Sequence, residues 1–302
     1  MRILVSGGAG FLGSNLCATL IASGDTVYCL DNLTTGAGQN VDELYESGRF
    51  HFIVGSATEP PVELRVDQVY SLASATAPGA YQADPEGTVE ANVAGTKALL
   101  EFAAKQRARM LFTSSIRVTE RFDRDGPHAC YITGKIIGEN LCLTYNQECG
   151  IDVKVARLYN TYGPRMALND SRVIPQFVLR ALRGEPLKIV GDGLQRDSFC
   201  YVDDMLDGLI AYMNSDVKLG PMEFGYPSPI SIIDLAQLVV RLAGSSSPIE
   251  FNGVDRPAEE MEIKHRRPVP DIGEAREKLG WNPQTTLEEG LPRIIAYYRE
   301  RL

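Results

Sequence analysis

The feature that most constrains this chain is a glycine-rich turn between a short apolar run and a helix-forming segment. Residues 2–6 (RILVS) are typical of a buried parallel strand. Gly7, Gly10 and Gly13 follow with the spacing G-x-x-G-x-x-G, and Gly8 completes the related G-x-G-x-x-G. Glycines at these spacings allow a tight turn, a close approach of backbone to a pyrophosphate, and packing of the helix on the strand. The pattern predicts a dinucleotide-binding α/β fold with phosphates at the helix N-terminus.

An acidic residue ends the second apolar run, which extends from Thr26 to Leu30. Asp31 stands where a carboxylate accepts both hydroxyls of an adenosine ribose and repels a 2′-phosphate. Because a strand precedes the glycines, a helix follows them and an acid comes at this distance, the sequence predicts NAD rather than NADP as the cofactor.

Composition and charge exclude several classes of protein. The 302 residues, 44% of them hydrophobic, suffice for two domains or one large one. A net charge of -9 and a pI near 5.0 argue against a nucleic-acid binder and a membrane-surface binder. Six cysteines without a C-x-x-C pair predict reduced, buried thiols in a cytoplasmic protein, and three widely spaced histidines predict no metal site. We expect no signal peptide and no membrane span.

Strands and helices alternate through the first half of the chain, which predicts a Rossmann-type doubly wound parallel sheet in a domain over residues 1–160. The predicted strands cover 2–6, 26–30, 50–54, 67–72, 108–114 and 151–158, and the predicted helices 11–23, 39–46, 88–106 and 131–149. Residues 161–302 are richer in turns and predict a smaller α/β substrate-binding lobe, although later segments can return to the first domain. Its predicted helices cover 172–183, 203–214, 231–243, 271–279 and 287–300.

A tyrosine and a lysine four residues apart, Tyr131 and Lys135, lie on one face of a predicted helix. A free tyrosine has a pKa near ~10 and is a poor base at neutral pH. A neighbouring ammonium stabilises the phenolate and lowers that pKa. Ser115 ends a predicted strand and can bind the same substrate oxygen. Together the three predict a site that takes a proton from an alcohol while hydride leaves its carbon.

Motifs along nearly the whole chain resemble one known family. They include GGAGFLGSNL, DNLTTG, VDQVYSLAS, GPHACYITGK, VARLYNTYGPRM, GDGLQRDSFCYVDD and LGWNPQTTLEEGL. The chain resembles extended short-chain dehydrogenases/reductases of the NAD-dependent epimerase/dehydratase group, and within that group it is most similar to UDP-glucuronate decarboxylases. The resemblance implies a nucleotide-diphosphate sugar, most often a UDP-sugar, as substrate. It also implies a homodimer formed through the helices at 88–106 and 131–149.

The resemblance assigns residues to both ligands. It implies a pyrophosphate and ribose site at Gly7, Gly10, Phe11, Leu12, Gly13, Asp31 and Asn32. It implies a nicotinamide site at Leu72, Ala73 and Ser74 together with Tyr131 and Lys135. It implies substrate contacts from Tyr81, Asn160, Arg165, Arg172, Val173 and an arginine near the C-terminus, Arg256 or Arg267. Catalysis is implied for Ser115, Tyr131 and Lys135.

Three departures from the family pattern bear on the chemistry. Arg117 stands two positions after Ser115, where the family usually carries an acid, and a guanidinium cannot act as a general base. The loop over 119–126 is shorter than usual. Asp197 stands where the family usually carries a phosphate-binding arginine, so we expect either that Arg196 substitutes for it or that the nucleotide binds differently. Arg117 could instead bind a substrate carboxylate.

These observations leave the fate of the oxidised sugar open. Transient oxidation of the C4 hydroxyl is common to the whole group. The local chemistry favours a nucleotide-sugar epimerase, because epimerisation needs only the three catalytic residues and room for the sugar to turn. The overall similarity favours a UDP-glucuronate decarboxylase that forms UDP-xylose. A dehydratase and a non-catalytic NAD-binding sensor are further alternatives.

Overall fold

The computed structural model describes residues 1–119, 126–253 and 268–302, which divide into two compact units. The first unit takes the described residues of 1–158, 206–223 and 274–281. The second takes those of 159–205, 224–273 and 282–302. The first boundary thus falls two residues before the one expected from the sequence, and the later segments that return to the first unit are 206–223 and 274–281.

A seven-stranded sheet has the strand order β3-β2-β1-β4-β5-β6-β11. Its strands are β1 Arg2–Ser6, β2 Thr26–Asp31, β3 Phe50–Val54, β4 Gln68–Ser71, β5 Arg109–Ser115, β6 Val153–Leu158 and β11 Pro221–Phe224. The first six pair in parallel, as the continuous apolar runs predicted. The strand order reverses between β1 and β4, and doubly wound sheets bind ligands beyond the carboxyl ends of the strands at that point.

Helices connect these strands, and further helices belong to the second unit. Those of the described residues are α1 Phe11–Ala22, α2 Pro78–Ala83, α3 Pro85–Glu90, α4 Thr96–Gln106, α5 Ala129–Cys149, α6 Val173–Arg183, α7 Val202–Asn214, α8 Ile232–Ala243, α9 Gly273–Leu279 and α10 Leu287–Arg299. Local sequence signals account for several ends. In α10, for example, Thr286 and Glu289 form a reciprocal capping box.

The core of the first unit lies between the sheet and its helices. Buried side chains from five strands and from α4 and α5 form one apolar cluster, which includes Leu4, Val69, Leu99, Phe112 and Val153. Burying a side chain of this size contributes about 1.5–3 kcal/mol of transfer free energy. This packing fixes the positions of the carboxyl ends of the strands relative to one another.

Several elements differ from the sequence-based prediction. The helix expected over 88–106 is broken into α3, a π-helical turn over Ala91–Gly95, and α4. The helix expected near 39–46 is two short 3-10 turns. Helix α2 and the short strands of the second unit were not predicted, because segments of two to six residues carry little periodicity. Those strands are β7 Asn160–Tyr162, β8 Leu187–Val190, β9 Arg196–Asp197, β10 Phe199–Tyr201, β12 Ile230–Ser231 and β13 Ile249–Asn252.

The cysteines are free thiols, four buried, Cys130 half-buried and Cys149 exposed. Exposure of Cys149 departs from the expectation of buried thiols, because that residue ends α5. Among the described residues no group of His, Cys, Asp and Glu side chains is arranged to hold a metal ion. Over the same ranges, no helix has the length and hydropathy needed to cross a membrane.

Candidate active site

The glycine turn between β1 and α1 passes very close to the segment that follows β4. Gly7 has a φ of 76°, and a Cβ there would lie 2.7 Å from the backbone nitrogen of Ala73. Gly10 caps α1 and has no side chain to occupy the helix end. Phe11, Leu12 and Gly13 form the first turn, whose N–H groups point out of the helix. This cradle of bare backbone fits a dinucleotide pyrophosphate.

Asp31 is the last residue of β2 and is only 8% exposed. Its carboxylate accepts hydrogen bonds from the backbone N–H groups of Ala9 at 2.9 Å and Leu33 at 2.8 Å. It therefore ties the end of β2 to the glycine turn and stands at the position of a ribose-binding acid. Asn32 follows it on the surface, where its side chain accepts from the N–H of Thr34 at 3.1 Å.

Leu72, Ala73 and Ser74 continue from the end of β4, on the other side of the point where the strand order reverses. Leu72 donates its N–H to the carbonyl of Ser6 at 3.0 Å, which extends the pairing with β1 by one residue. Ala73 and Ser74 are half-buried. The structure thus brings this segment against the glycine turn, and its contact with the nicotinamide remains a prediction.

Lys135 lies one helical turn after Tyr131 in α5, and both side chains are buried. Its Nζ lies 5.8 Å from the centre of the Tyr131 ring and donates to the carbonyl of Thr113 at 2.8 Å. Burial lowers the pKa of Lys135 to about 7, against smaller raising effects of Cys142 and Glu139. The lysine is therefore anchored to β5 with a proton that it can release near neutral pH.

Ser115 ends β5 and is 8% exposed. Its hydroxyl accepts the backbone N–H of Arg117 at 3.3 Å, at the start of the 3-10 turn over Ile116–Thr119. Arg117 is half-buried on that turn. The structure places it close enough to Tyr81 for its charge to act on that phenol. Burial raises the pKa of Tyr81, and the positive charge of Arg117 opposes the rise.

Tyr81 belongs to α2, is 1% exposed, and stacks on Tyr131 with ring centres 5.3 Å apart and planes 14° apart. Its hydroxyl shares a hydrogen bond with Nδ1 of His128, the residue that caps α5. The sequence analysis named Tyr81 but missed His128. The only available signal was its place in GPHACYITGK, three residues before Tyr131 and one helical turn away.

Asn92 is a second residue that the sequence analysis did not assign to the site. It lies in the π-helical turn, is fully buried and packs against Gly134, the neighbour of Lys135. Its amide donates to the carbonyl of Thr88 at 2.8 Å, and its Oδ1 has no hydrogen-bond partner among the described residues. Such turns are frequent at functional sites, and here the turn brings a polar side chain beside the helix of Tyr131.

The other residues expected to bind substrate lie in the second unit. Asn160 on β7 donates to Asp197 Oδ1 at 2.7 Å, and the same oxygen accepts the N–H of Ser198 at 3.0 Å. Asp197 is 9% exposed, so its carboxylate holds Asn160 rather than a phosphate. Arg196 is exposed and donates to the carbonyl of Pro229 at 2.5 Å. That bond holds its guanidinium against backbone, so the expected replacement of the phosphate-binding arginine stays a prediction.

Arg172 and Val173 begin α6, where Arg172 forms a bidentate ion pair with Asp170, 2.5 Å at the shortest. Arg165 adopts left-handed backbone with a φ of 67°. Arg256, Arg267 and most of the 119–126 loop lie outside the described residues. The assignments of these arginines to substrate remain predictions.

Comparisons with known proteins agree with this geometry. The family model of the NAD dependent epimerase/dehydratase family matches residues 3–223. UDP-glucuronic acid decarboxylase 1 of Arabidopsis thaliana is 39% identical over all of this chain and 71% of its own length. The protein of the same name from Xenopus tropicalis is also 39% identical, over 73% of its length.

Solved structures of similar fold include epimerases and dehydratases of nucleotide sugars. UDP-glucuronic acid 4-epimerase from Bacillus cereus, in complex with UDP-glucuronic acid and NAD, has a TM-score of 0.86 at 25% identity, with all of both chains covered. UDP-glucose 4-epimerase from Thermotoga maritima has a TM-score of 0.87 at 27% identity, over 100% of this chain and 99% of that one. The dTDP-glucose 4,6-dehydratase from Streptomyces venezuelae, with NAD bound, has a TM-score of 0.86 at 27% identity, over 99% and 97%.

Proposed function

Because this chain belongs to the NAD-dependent epimerase/dehydratase family, we propose that it is an NAD-dependent UDP-glucuronate decarboxylase. The observation that carries this proposal is the 39% identity to UDP-glucuronic acid decarboxylases over the entire chain. The retained Ser115, Tyr131 and Lys135 support catalysis over a binding role alone. The decarboxylase is therefore preferred to the general epimerase that the local sequence favoured.

The first step is removal of the C4 hydroxyl proton by Tyr131. Ser115 hydrogen-bonds the same oxygen, and Lys135 stabilises the phenolate that Tyr131 must become. NAD, when bound, would supply the hydride acceptor for C4 and the hydride that reduces C4 again. The glycine turn, Asp31 and the segment Leu72, Ala73 and Ser74 would hold the cofactor, because the cradle described above has the shape and the donors that it needs.

The second step follows from the chemistry of the oxidised sugar. A 4-keto uronate is a β-keto acid, so the C5–C6 bond breaks and its electron pair forms an enolate over C5, C4 and the C4 oxygen. C6 leaves as CO2, and C5 then takes a proton. The C4 carbonyl is reduced again while Tyr131 returns its proton to the oxygen. One proton is consumed in total and the product is UDP-xylose.

Arg117 favours a uronate as the substrate and also supports a second candidate function. The guanidinium of Arg117, two positions after Ser115, has two parallel donors that suit a sugar carboxylate. A carboxylate held by a cation loses CO2 less readily, because the cation stabilises the charge that must be delocalised. The second candidate is therefore a UDP-glucuronate 4-epimerase, which binds the same substrate and keeps C6.

Products formed in deuterated water distinguish these functions. We expect incubation with NAD and UDP-glucuronate to give a pentose that lacks C6 and carries deuterium at C5 in the proton NMR spectrum. An inverted C4 with C6 retained would establish the epimerase instead. Tyr131→Phe serves as the matched control and should bind NAD but oxidise no sugar. If the wild-type protein reduces no NAD with UDP-glucuronate yet does so with UDP-glucose, the proposal is wrong.

A further inference from the structure

A phenol and an imidazole form a hydrogen-bonded pair beside the catalytic tyrosine. Tyr81 and His128 are 47 residues apart in sequence, and the Tyr81 hydroxyl bonds His128 Nδ1 while the rings meet edge-on at 5.7 Å. The thiol of Cys130 donates to the carbonyl of Tyr81 at 3.6 Å, which ties α2 to the first turn of α5. Tyr81 is thus held both through its hydroxyl, by His128, and through its backbone carbonyl, by Cys130.

The pair lies next to the place where the sugar is oxidised. Tyr81 stacks on Tyr131 with 5.3 Å between ring centres. In the proposed reaction Tyr131 serves the oxygen on C4, and C5 is the adjacent carbon. A group that delivers a proton to C5 must therefore lie immediately beside Tyr131, and Tyr81 has that position within the first unit.

The proposed decarboxylation needs such a donor, and Arg117, two positions after Ser115, cannot provide it. Arg117 carries a proton that it does not release in proteins. Its positive charge instead favours the phenolate form of Tyr81, against the effect of burial. His128 is half-buried, so it can exchange protons with solvent.

We propose that Tyr81 and His128 form a proton relay that protonates C5 after CO2 has left. This inference rests on the proposed decarboxylase function. The Tyr81 O–H bond breaks as the C5–H bond forms with the electron pair of the enolate. The Nδ1 proton of the His128 imidazolium then moves to the Tyr81 oxygen, and solvent restores the proton on the imidazole. The net change is the single proton that decarboxylation consumes.

The groups around the relay are consistent with this direction of transfer. Besides its hydrogen-bond partner His128, Tyr81 is acted on electrostatically by Arg117 from the turn after β5 and by Tyr131 and Cys130 from α5. The positive charge of Arg117 stabilises Tyr81 once the phenol has released its proton. An enolate carbon is more basic than a phenolate, so the transfer runs towards C5.

Two variants test the relay by separating oxidation from completion of turnover. His128→Asn keeps a polar atom near the position of Nδ1 but has no titratable proton. Tyr81→Phe keeps the ring that stacks on Tyr131 but has no hydroxyl. In both we expect the initial burst of NADH absorbance with UDP-glucuronate to stay within about threefold of wild type, while formation of finished UDP-pentose falls about 100-fold. NADH and a released 4-keto pentose should accumulate.

His51→Asn is the matched control, because His51 lies on β3 and stacks on Tyr28 at 4.9 Å, away from the pair. It should leave the ratio of 4-keto pentose to finished product unchanged. Normal turnover in His128→Asn would overturn the relay. So would an equal loss of the NADH burst and of product in Tyr81→Phe, which would make Tyr81 a support for Tyr131 only. Absence of NADH and CO2 with wild-type protein would instead reject the decarboxylase function itself.

Discussion

A Cβ atom on Gly13 would lie 2.1 Å from the carbonyl oxygen of Gly7, well inside any allowed contact. The helix that follows the dinucleotide turn can therefore approach β1 only with glycine at this position. The relationship links a single sequence position to both the packing of α1 and the shape of the cofactor cradle.

Gly13→Ala should displace the turn from the position that a pyrophosphate needs. We expect NAD affinity measured by calorimetry to fall at least about 100-fold, equivalent to about 2.7 kcal/mol. Gly220→Ala is the matched control, since a Cβ there meets nothing within 4 Å. Wild-type affinity in Gly13→Ala, with the fold intact by circular dichroism, would contradict the proposed cradle.

Arg117→Ala should weaken binding of a uronate far more than that of a neutral sugar. Loss of one charged hydrogen-bond partner costs about 1.5–3 kcal/mol, or about 10- to 100-fold in affinity. Calorimetric titration of NAD-loaded protein with UDP-glucuronate and with UDP-glucose measures both affinities. Equal losses for the two ligands would place Arg117 away from the sugar carboxylate.

Lys135→Met should change how stability depends on pH. Burial lowers the pKa of Lys135 in the folded protein from 10.5 to about 7. Between those values the unfolded chain binds more protons than the folded one, so the wild-type free energy of unfolding gains up to about 1.4 kcal/mol per pH unit from this group as pH rises. Below about pH 7 Lys135 is charged in both the folded and the unfolded protein, so the full cost of burying its ammonium lowers the free energy of unfolding. In urea unfolding from pH 6 to 9, the free energy of unfolding should rise with pH more steeply for wild type than for Lys135→Met. The same pH dependence in both proteins would contradict the expectation.

Asp197→Ala should destabilise the second unit, because it leaves the Asn160 amide and the Ser198 N–H without their buried acceptor. One unsatisfied buried donor costs about 1–3 kcal/mol. Asp197→Asn is the matched variant and should cost less, since an amide oxygen can accept both bonds. Urea unfolding gives the two values, and equal losses in both variants would show that charge rather than hydrogen bonding matters at this position.

Helix α5 exposes two large apolar side chains, Ile137 at 38% and Leu143 at 44%. The family resemblance predicts that this helix contributes to a homodimer. Leu143→Glu should then shift the protein from dimer to monomer in light scattering, while Val62→Glu, at a valine that is 69% exposed, should not. A monomeric wild-type protein would refute the predicted dimer.

Local sequence signals were sufficient for the framework of the site. The glycine turn, Asp31 and the four-residue spacing of Tyr131 and Lys135 each depend on contacts within one or two elements, so their placement follows from spacing alone. The parallel strands were predicted within two residues of their observed ends, because buried apolar runs are bounded by turns. The same reasoning missed that the helix predicted over 88–106 is interrupted at Asn92, since a π-helical turn has no distinct periodicity.

The sequence by itself determined the parallel sheet, the glycine turn and the placement of Tyr131 and Lys135 on one helix face, because periodicity and short spacing are encoded locally. Only the tertiary structure decided that His128 bonds Tyr81 and that Asp197 turns inward to hold Asn160. It also decided that 206–223 and 274–281 return to the first unit. These features join residues tens of positions apart, and such pairings depend on how whole elements pack rather than on the residues next to them in the chain.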